Sequence, residues 1–162
     1  MPLTTYYLEM RDPQWFHVKR GPSRFATRRV LPSDPIVNQR FYRSVGKPWQ
    51  WTDRLVWTEK QWRTYAVRDE LETWIGYLDD DEIGYFELEA QPECNVQLQY
   101  FGLLPEFTGR GLGGALLSSA IARAWAMEGT RRVWVHTCTN DHPAALENYR
   151  RRGFQIYRTE VE

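Results

Sequence analysis

A glycine-rich turn between Leu104 and Leu117 is the segment of the chain best suited to bind a phosphate. It reads Leu-Pro-Glu-Phe-Thr-Gly-Arg-Gly-Leu-Gly-Gly-Ala-Leu-Leu and stands between an apolar run and an Ala/Leu-rich helical pattern. Because glycine has no Cβ, successive backbone N–H groups of the turn can point toward one anion. The first turn of the following helix adds unpaired N–H donors and the positive end of its dipole. The glycines concerned are Gly109, Gly111, Gly113 and Gly114.

The same turn also fits a second class of ligand. Residues 109–114 satisfy the dinucleotide pattern G-x-G-x-x-G, and a glycine cluster can also be a plain turn with no ligand. In a dinucleotide fold the first glycine lies at the strand end, and an acidic residue follows about 20 positions later at the tip of the next strand. Here residues 105–108 separate the strand from the first glycine, and the next predicted strand contains no acid. The position of the turn therefore argues against a nicotinamide dinucleotide site.

A second motif follows in a fixed order. A predicted strand over residues 132–139 is followed by Asn140, then Pro-Ala-Ala-Leu-Glu-Asn-Tyr149, then Arg-Gly-Phe154. Together the two motifs resemble the GNAT superfamily of acetyl-CoA-dependent N-acetyltransferases, whose pyrophosphate loop reads Gln/Arg-x-x-Gly-x-Gly/Ala. Residues 108–113 match this pattern at both glycine positions and depart from it at Thr108, which stands in place of Gln or Arg. The resemblance extends over about residues 30–160.

The resemblance implies a fold of the α/β (α+β) class. A mixed, mostly antiparallel central sheet would be flanked by helices, and two splayed strands would hold the cofactor between them. Residues 1–162 would form a single N-acetyltransferase domain, with residues 1–30 as an N-terminal extension of uncertain role. The family usually adds one more strand after the Gly-Phe strand, whereas this sequence stops at Glu162. We therefore expect the acceptor side to be more open, or to be completed by a partner chain as in a homodimer.

The resemblance also implies the reaction. The acetyl group of acetyl-CoA would pass to a primary amine of a small molecule or peptide by direct attack in a ternary complex. A noncatalytic acyl-CoA-binding or regulatory module and a nicotinamide dinucleotide-binding enzyme are the alternatives. The cofactor-binding residues implied are Leu103, Leu104, Thr108, Gly109, Arg110, Gly111, Leu112, Gly113, Gly114, Asn140 and Tyr149.

Acyl transfer to an amine requires a proton acceptor. An alkyl ammonium has a pKa of about 10 and is no nucleophile until a base or a water chain removes its proton. Glu87 and Glu89 alternate with Phe86 and Leu88, so both carboxylates project to one face of a strand. Either carboxylate could accept the proton directly or through water. The alternative interpretation is that both are ordinary solvent-facing glutamates. The next strand offers only the amides of Gln97 and Gln99, which cannot act as bases.

A departing thiolate requires a proton donor. A phenol has a pKa of about 10 and is protonated at neutral pH. In the family pattern a tyrosine of the last helix is the general acid, and Tyr149 falls at that position. The alternative is a core tyrosine whose hydroxyl bonds to the backbone.

Indoles are concentrated between the first two predicted helices and in the first turns of the second, at Trp49, Trp51, Trp57 and Trp62. By resemblance this region overhangs the acceptor site. Trp49, Trp51 and Trp57 could form an aromatic wall for an ammonium group, with Asp53 adding charge attraction. A packed lid or plain core is the alternative.

A metal site is not expected. His136 and Cys138 share one strand face, but His142 lies beyond the strand and no fourth ligand is evident. A thiol nucleophile would need a third, orienting group.

Composition limits the classes of partner. The chain has 162 residues, with 21 basic and 21 acidic side chains. Such a balance produces no global field for nucleic acid or membranes, so neither is expected as a partner. No apolar stretch approaches the ~20 residues of a membrane span, and the first residues are not typical of a signal peptide. Two cysteines are too few for a disulfide framework and suit a reducing cytoplasm.

Periodicity and turn residues locate the elements that must position these groups. A basic stretch between the first two strands is interpreted as a solvated face, and Thr58 with Gln61 forms a capping box. Strands are predicted over residues 4–10, 25–30, 73–78, 82–90, 96–104, 132–139 and 154–160, the third and fourth forming a hairpin. Helices are predicted over residues 34–45, 58–68, 113–128 and 143–152.

Overall fold

A computed structural model describes residues 2–162 and shows one mixed sheet with helices on both faces. The sheet order is β2-β3-β4-β5-β6-β1-β7. The strands are β1 (Thr4–Met10), β2 (Phe25–Arg29), β3 (Leu71–Leu78), β4 (Asp81–Gln91), β5 (Asn95–Leu103), β6 (Arg132–Cys138) and β7 (Gln155–Val161). The α-helices are α1 (Pro35–Gly46), α2 (Glu59–Ala66), α3 (Gly113–Ala126) and α4 (Ala145–Arg151). Only β5 and β6 pair in parallel, so the predicted mostly antiparallel sheet is confirmed.

Local capping explains where the first two helices begin. At α1 the Asp34 carboxylate accepts a hydrogen bond from the Ile36 N–H, and Pro35 occupies the first helical position. At α2 the Thr58 hydroxyl accepts from the Gln61 N–H, while the Gln61 side chain accepts from the Thr58 N–H. The capping box predicted from these two residues is confirmed.

Helices α2, α3 and α4 are shorter than the sequence pattern indicates, and α2 ends at Ala66 rather than at Arg68. Helix α3 ends at Ala126 because Met127 adopts an extended backbone and the Thr130 hydroxyl donates to the Ala124 carbonyl. Helix α4 begins at Ala145, two residues after Pro143, because a turn in which the Ala145 N–H donates to the His142 carbonyl precedes it.

The strands β5 and β6 pair only at their beginnings. Residues Asn95, Val96 and Gln97 face Arg132, Val133 and Trp134, and no ladder continues beyond them. The predicted splay is confirmed. Backbone polar groups of β5 that face the gap therefore have no strand partner there, and an extended ligand could pair with them.

Strand β1 lies between β6 and β7 and is antiparallel to both. Its register runs from Thr5 opposite Cys138 to Met10 opposite Val133 on one side, and from Thr4 opposite Val161 on the other. The chain's own first strand therefore occupies the place between β6 and β7, and completion of the acceptor side by a partner chain stays a prediction.

The two faces of the sheet bury different clusters. On one face, α3 packs Leu116, Leu117 and Ile121 against Phe86 and Leu88 of β4. On the other, α1 packs Phe41 and Val45 against Ile75 and Tyr85. Neighbouring residues of β4 thus alternate between the two clusters, as strand geometry requires. No helix in residues 2–162 combines the length and apolar character needed to cross a membrane.

Candidate active site

A cavity of about 430 Å³ lies beside the splay of β5 and β6. Its walls come from the end of β5, the glycine turn, α3, α4, the residues after β6, the end of α1 and the segment after β1. The lining residues are Lys19, Val45, Trp49, Trp51, Phe101, Gly102, Leu103, Thr108, Gly109, Gly111, Leu112, Gly113, Gly114, Asp141, His142, Ala144, Ala145, Glu147, Asn148, Tyr149, Arg151 and Arg152.

The glycine turn has the geometry of an anion cradle. Gly109 and Gly111 have φ of 76° and 77°, a backbone conformation that L side chains rarely adopt. A Cβ built on either residue would meet nothing within 4 Å, so this surface of the turn faces open space. Helix α3 starts at Gly113, and Leu112 provides no side-chain cap for its first N–H groups. The turn thus fits the diphosphate of a nucleotide such as CoA.

The predicted cofactor-binding residues divide into two groups. Most line the cavity, including Leu103, Thr108 and Tyr149. Three lie off its walls: Leu104 donates its N–H to the Ile83 carbonyl, the Arg110 guanidinium lies over the Phe107 ring, and Asn140 precedes the lining residue Asp141. The contacts of all these residues with a cofactor stay predictions.

Tyr149 brings a phenol from α4 to the cavity wall. Its side chain is 5% exposed, and its ring packs edge-on against Phe154 and at a tilt against Phe101. Burial raises the pKa of the Tyr149 hydroxyl above its usual value, and the charge of Asp141 adds to the rise. The phenol therefore stays protonated at neutral pH.

Glu87 lies inside the protein rather than on the cavity wall. Its fully buried carboxylate accepts hydrogen bonds from the Asn38 side chain at 2.7 Å and from the Tyr65 hydroxyl at 2.5 Å. The Arg54 guanidinium lies 3.5 Å away. Burial raises the pKa of Glu87, although Arg54, Asn38 and Tyr65 act in the opposite direction. A raised pKa suits a proton acceptor that works near neutral pH, but from this position the proton must arrive through water.

Glu89 belongs to a polar network on the same face of β4. Its carboxylate accepts from Arg68 at 2.7 Å, from Gln91 at 2.7 Å and from Gln99 at 3.2 Å. Burial raises the pKa of Glu89, yet the hydrogen bonds from Gln91 and Arg68 outweigh burial, and the net pKa is lowered. Gln97 joins this network by accepting from Gln91. Glu89 is also absent from the cavity lining.

The four indoles lie in two different parts of the structure. Trp49 and Trp51 line the cavity. Trp57 and Trp62 instead pack around the buried Arg54 guanidinium, with ring centroids 4.5 and 5.9 Å from its Cζ. Asp53 also lies off the cavity wall. Of the aromatic wall predicted for an acceptor, only Trp49 and Trp51 therefore line the cavity.

Asp141 is a cavity residue that sequence reasoning missed. One carboxylate oxygen accepts from the Trp51 indole N–H at 3.0 Å, and the other accepts from the Thr137 hydroxyl at 2.7 Å. The Trp49 ring lies 4.7 Å from the His142 ring beside it. These contacts join the tryptophan-rich segment to the residues after β6 across the cavity. The one sequence signal for this position is that an acidic residue lies just after a predicted strand.

Sequence reasoning also missed the three cationic residues of the wall, Lys19, Arg151 and Arg152. Lys19 belongs to the basic stretch that was interpreted as a solvated face, and the structure places it on the cavity wall. Arg152 joins it from the residue after α4. None of the three positions falls within the glycine motif, so motif matching could not find them.

The histidines and cysteines form no evident metal centre. Among residues 2–162, no three His, Cys, Asp or Glu side chains are grouped so as to hold a metal ion. Cys94 is exposed, Cys138 is half-buried, and both are free thiols.

Comparison with known proteins agrees with this geometry. The sequence profile of the Acetyltransferase (GNAT) family matches residues 37–154. A mycothiol acetyltransferase from Acidothermus cellulolyticus is 36% identical over 81 residues, which are 48% of this chain and 23% of that protein.

Solved structures show the same fold. A GCN5-related N-acetyltransferase from Sphaerobacter thermophilus matches with a TM-score of 0.73 at 17% identity, covering 99% of this chain and 50% of that one. One from Kribbella flavida matches with a TM-score of 0.70 at 16% identity, covering 99% and 58%. This chain thus spans 23% of that mycothiol acetyltransferase and 50% to 58% of these two solved structures. Because the family profile covers most of the chain and includes the glycine turn and Tyr149, the chain belongs to the GNAT acetyltransferase family.

Proposed function

We propose that this protein transfers the acetyl group of acetyl-CoA to a primary amine of a small molecule or peptide by direct attack in a ternary complex. The observation that carries the proposal is the cavity between the open glycine turn and Tyr149, beside the splay of β5 and β6. The stretch of β5 backbone that has no strand partner beside this cavity suits an extended, amide-bearing arm of the acyl donor. Acetyl-CoA would supply the activated acyl group as a thioester.

Tyr149 is proposed to protonate the sulfur when the carbon–sulfur bond breaks. Its position on the wall brings the phenol to the cavity, and its raised pKa keeps the hydroxyl protonated at neutral pH. The unpaired N–H groups of β5 in the splay are available to stabilise a developing negative charge on the acyl oxygen.

Removal of the amine proton is proposed to proceed through water toward Glu87, with Glu89 as the second candidate. Glu87 combines a raised pKa with a fixed orientation, since Asn38 and Tyr65 hold its carboxylate. Asp141 is the further carboxylate to test, because it lies on the cavity wall. The indoles of Trp49 and Trp51 would bound the acceptor, and their faces favour a cationic amine.

The decisive experiment is a panel of amines incubated with acetyl-CoA while free thiol is measured. Thiol release that depends on one amine supports the proposal. Binding of CoA without amine-dependent thiol release across the panel would instead support a noncatalytic acyl-CoA-binding module. A ligand at a hundred times its Kd stabilises a fold by about 2.7 kcal/mol. A thermal shift with NAD and none with CoA would therefore overturn the assignment of the cradle.

A further inference from the structure

Arg152 carries a guanidinium that the folded protein leaves without a partner. Its Nε and Nη1 atoms are buried and donate no hydrogen bond to any group within residues 2–162. Burial lowers the pKa of Arg152, and the charge of Arg151 lowers it further. Buried polar atoms of this kind are rare in native proteins, because each costs free energy unless something bonds to it. The rest of the Arg152 side chain is partly exposed and lines the cavity, where a bound anion can accept a hydrogen bond from it.

The guanidinium lies directly against the start of α3. A Cβ built on Gly114 would lie 2.5 Å from the Arg152 Nη1 and 2.5 Å from the Lys19 Cδ. Two cationic side chains therefore approach the backbone at the first turn of the helix, where N–H groups and the helix dipole already favour an anion. A side chain at position 114 would occupy the space that both cations use.

Hydrogen bonds of the segment after β1 position Lys19 beside the first turn of α3. The Lys19 N–H donates to the Ser118 hydroxyl of α3 at 2.8 Å, and the His17 N–H donates to the Arg152 carbonyl at 2.9 Å. Gly153 has a φ of 110°, and a Cβ there would collide with the Trp15 carbonyl oxygen that crosses it. Lys19 lies outside residues 37–154, the part that matches the family profile.

The other positions near the turn either carry no cation or carry one that already has a partner. Thr108 stands where the loop pattern has Gln or Arg, and the Arg110 guanidinium stacks on Phe107 off the cavity wall. Arg151 pairs with Glu147 at 3.3 Å. In the part of the chain that is described, Lys19 and Arg152 are thus the cavity cations with no ion-pair partner.

We propose that Lys19 and Arg152 form a phosphate-binding pair that recognises a phosphate group of the acyl donor and replaces the side-chain contact missing at Thr108. This inference rests on the proposed acetyl-CoA site. A nucleotide thioester of this kind presents two sources of the same chemistry, the diphosphate and the ribose 3′-phosphate. Arg152 would bind through its planar fork and Lys19 as a point charge.

The test is calorimetric titration of CoA and of 3′-dephospho-CoA into the parent and four variants. Arg152→Met and Lys19→Met remove the pair, while Arg150→Gln and Arg20→Gln remove equal charge at exposed neighbours off the cavity wall. We expect Arg152→Met to weaken CoA binding by roughly 10- to 100-fold, as for a hydrogen bond to a charged group. Lys19→Met should weaken it less, and both controls should bind like the parent.

The two ligands identify the phosphate. If Arg152→Met weakens CoA but not 3′-dephospho-CoA, the pair reads the 3′-phosphate; if it weakens both equally, the pair holds the diphosphate. Equal CoA affinity in the parent and in Arg152→Met would overturn the inference and leave the proposed function intact. A parent that binds no CoA at all would instead count against the proposed function.

A stability measurement separates recognition from a structural role. Removing an uncompensated buried cation should leave the melting temperature of the ligand-free protein unchanged or raise it, while CoA affinity falls. A structural role predicts a lower melting temperature. Gly114→Ala provides a second variant, because its Cβ displaces both side chains without changing the charge. It should weaken CoA binding as well, and normal CoA binding in Gly114→Ala would also contradict the proposal.

Discussion

The Arg54 guanidinium lies 3.5 Å from the fully buried Glu87 carboxylate, and the rings of Tyr65, Tyr100 and Trp57 surround it at 4.0 to 4.5 Å. This ion pair connects the segment between α1 and α2 to the middle of β4. Because the same segment carries Trp49 and Trp51, the pair holds the tryptophan-rich part of the cavity wall against the sheet.

Breaking this pair should destabilise the fold strongly. Arg54→Met leaves the fully buried Glu87 carboxylate without a counter-charge, and we expect a loss of about 3–5 kcal/mol in the free energy of unfolding. The matched control is Arg40→Met, since Arg40 pairs with Glu82 at the surface and its loss should cost less than about 1 kcal/mol. Urea denaturation of both variants measures the difference. Equal effects would show that the buried pair contributes no more than the exposed one.

The proposed proton-accepting role of Glu87 has its own signature in the pH dependence of kcat/KM. A carboxylate accepts a proton only above its pKa, so kcat/KM of the parent should fall as pH decreases through a pKa higher than the ordinary 4.5. In Glu87→Gln, measured where the variant is folded, activity should be low and this acidic limb should disappear. A limb that persists in Glu87→Gln but vanishes in Asp141→Asn would transfer the role to Asp141.

The glycine turn predicts a loss of CoA binding that is independent of stability. Gly111 and Gly129 both have φ of +77°, but only Gly111 lines the cavity. A valine at either position is strained by roughly 1–2 kcal/mol, because left-handed backbone suits glycine. We expect Gly111→Val and Gly129→Val to lose similar stability, while only Gly111→Val loses CoA affinity. Calorimetry on the two variants is the measurement, and parallel losses of affinity would place the phosphate elsewhere.

Local patterns in the sequence suffice for much of the fold. The capping box of Thr58 and Gln61 and the β3–β4 hairpin depend on residues close in the chain, so their signals are readable. The place of β1 is not readable in this way. Tyr7 pairs with His136 and Arg158, more than a hundred residues away, and strand periodicity carries no information about the partner of a strand.

The residues of the site likewise divide into those that local sequence motifs predict and those that only tertiary packing brings to the cavity. Gly111 and Tyr149 belong to contiguous motifs, and the structure places both on the cavity wall. Lys19 and Asp141 reach the wall only because of tertiary packing, through the bonds to Ser118 and Trp51. Burial also separates Glu87 from Glu89, since two glutamates on one strand face differ in exposure only once α1 and α2 cover part of that face.

Acid should weaken the fold through Glu72. Burial raises the pKa of this carboxyl, but hydrogen bonds from Arg123 and Trp74 outweigh burial and lower the pKa below 4.5. A lowered folded-state pKa stabilises the protein above about pH 4.5, and that stability is lost as pH falls through the folded value. Glu72→Gln should cost about 1–3 kcal/mol at pH 7, and its difference from the parent should shrink as pH falls below 4.5.

Urea denaturation at a series of pH values measures this difference. Asp79→Asn serves as the control, because Asp79 forms an exposed pair with Arg24. Its unfolding free energy should follow that of the parent at every pH. A Glu72→Gln deficit that stays constant down to pH 3 would show that packing, rather than the charge, accounts for the loss.

Tyr149→Phe tests whether the phenol takes part in the reaction or only packs. The substitution keeps the ring against Phe101 and Phe154 and removes only the hydroxyl. A general acid predicts that kcat falls by roughly 10²-fold or more while CoA affinity is nearly unchanged. A purely structural tyrosine predicts a stability change of about 1 kcal/mol with turnover little altered.

The measurement is steady-state kinetics with the amine that the panel identifies, alongside melting curves and CoA titration. Tyr157→Phe is the matched control, since that tyrosine is exposed on β7 and lies off the cavity wall. The kcat loss of Tyr149→Phe should be largest for acceptors whose reaction is limited by thiolate departure, because only that step needs the proton. Turnover within about threefold of the parent would remove Tyr149 from the mechanism and leave the thiolate to depart unprotonated or with a proton from water.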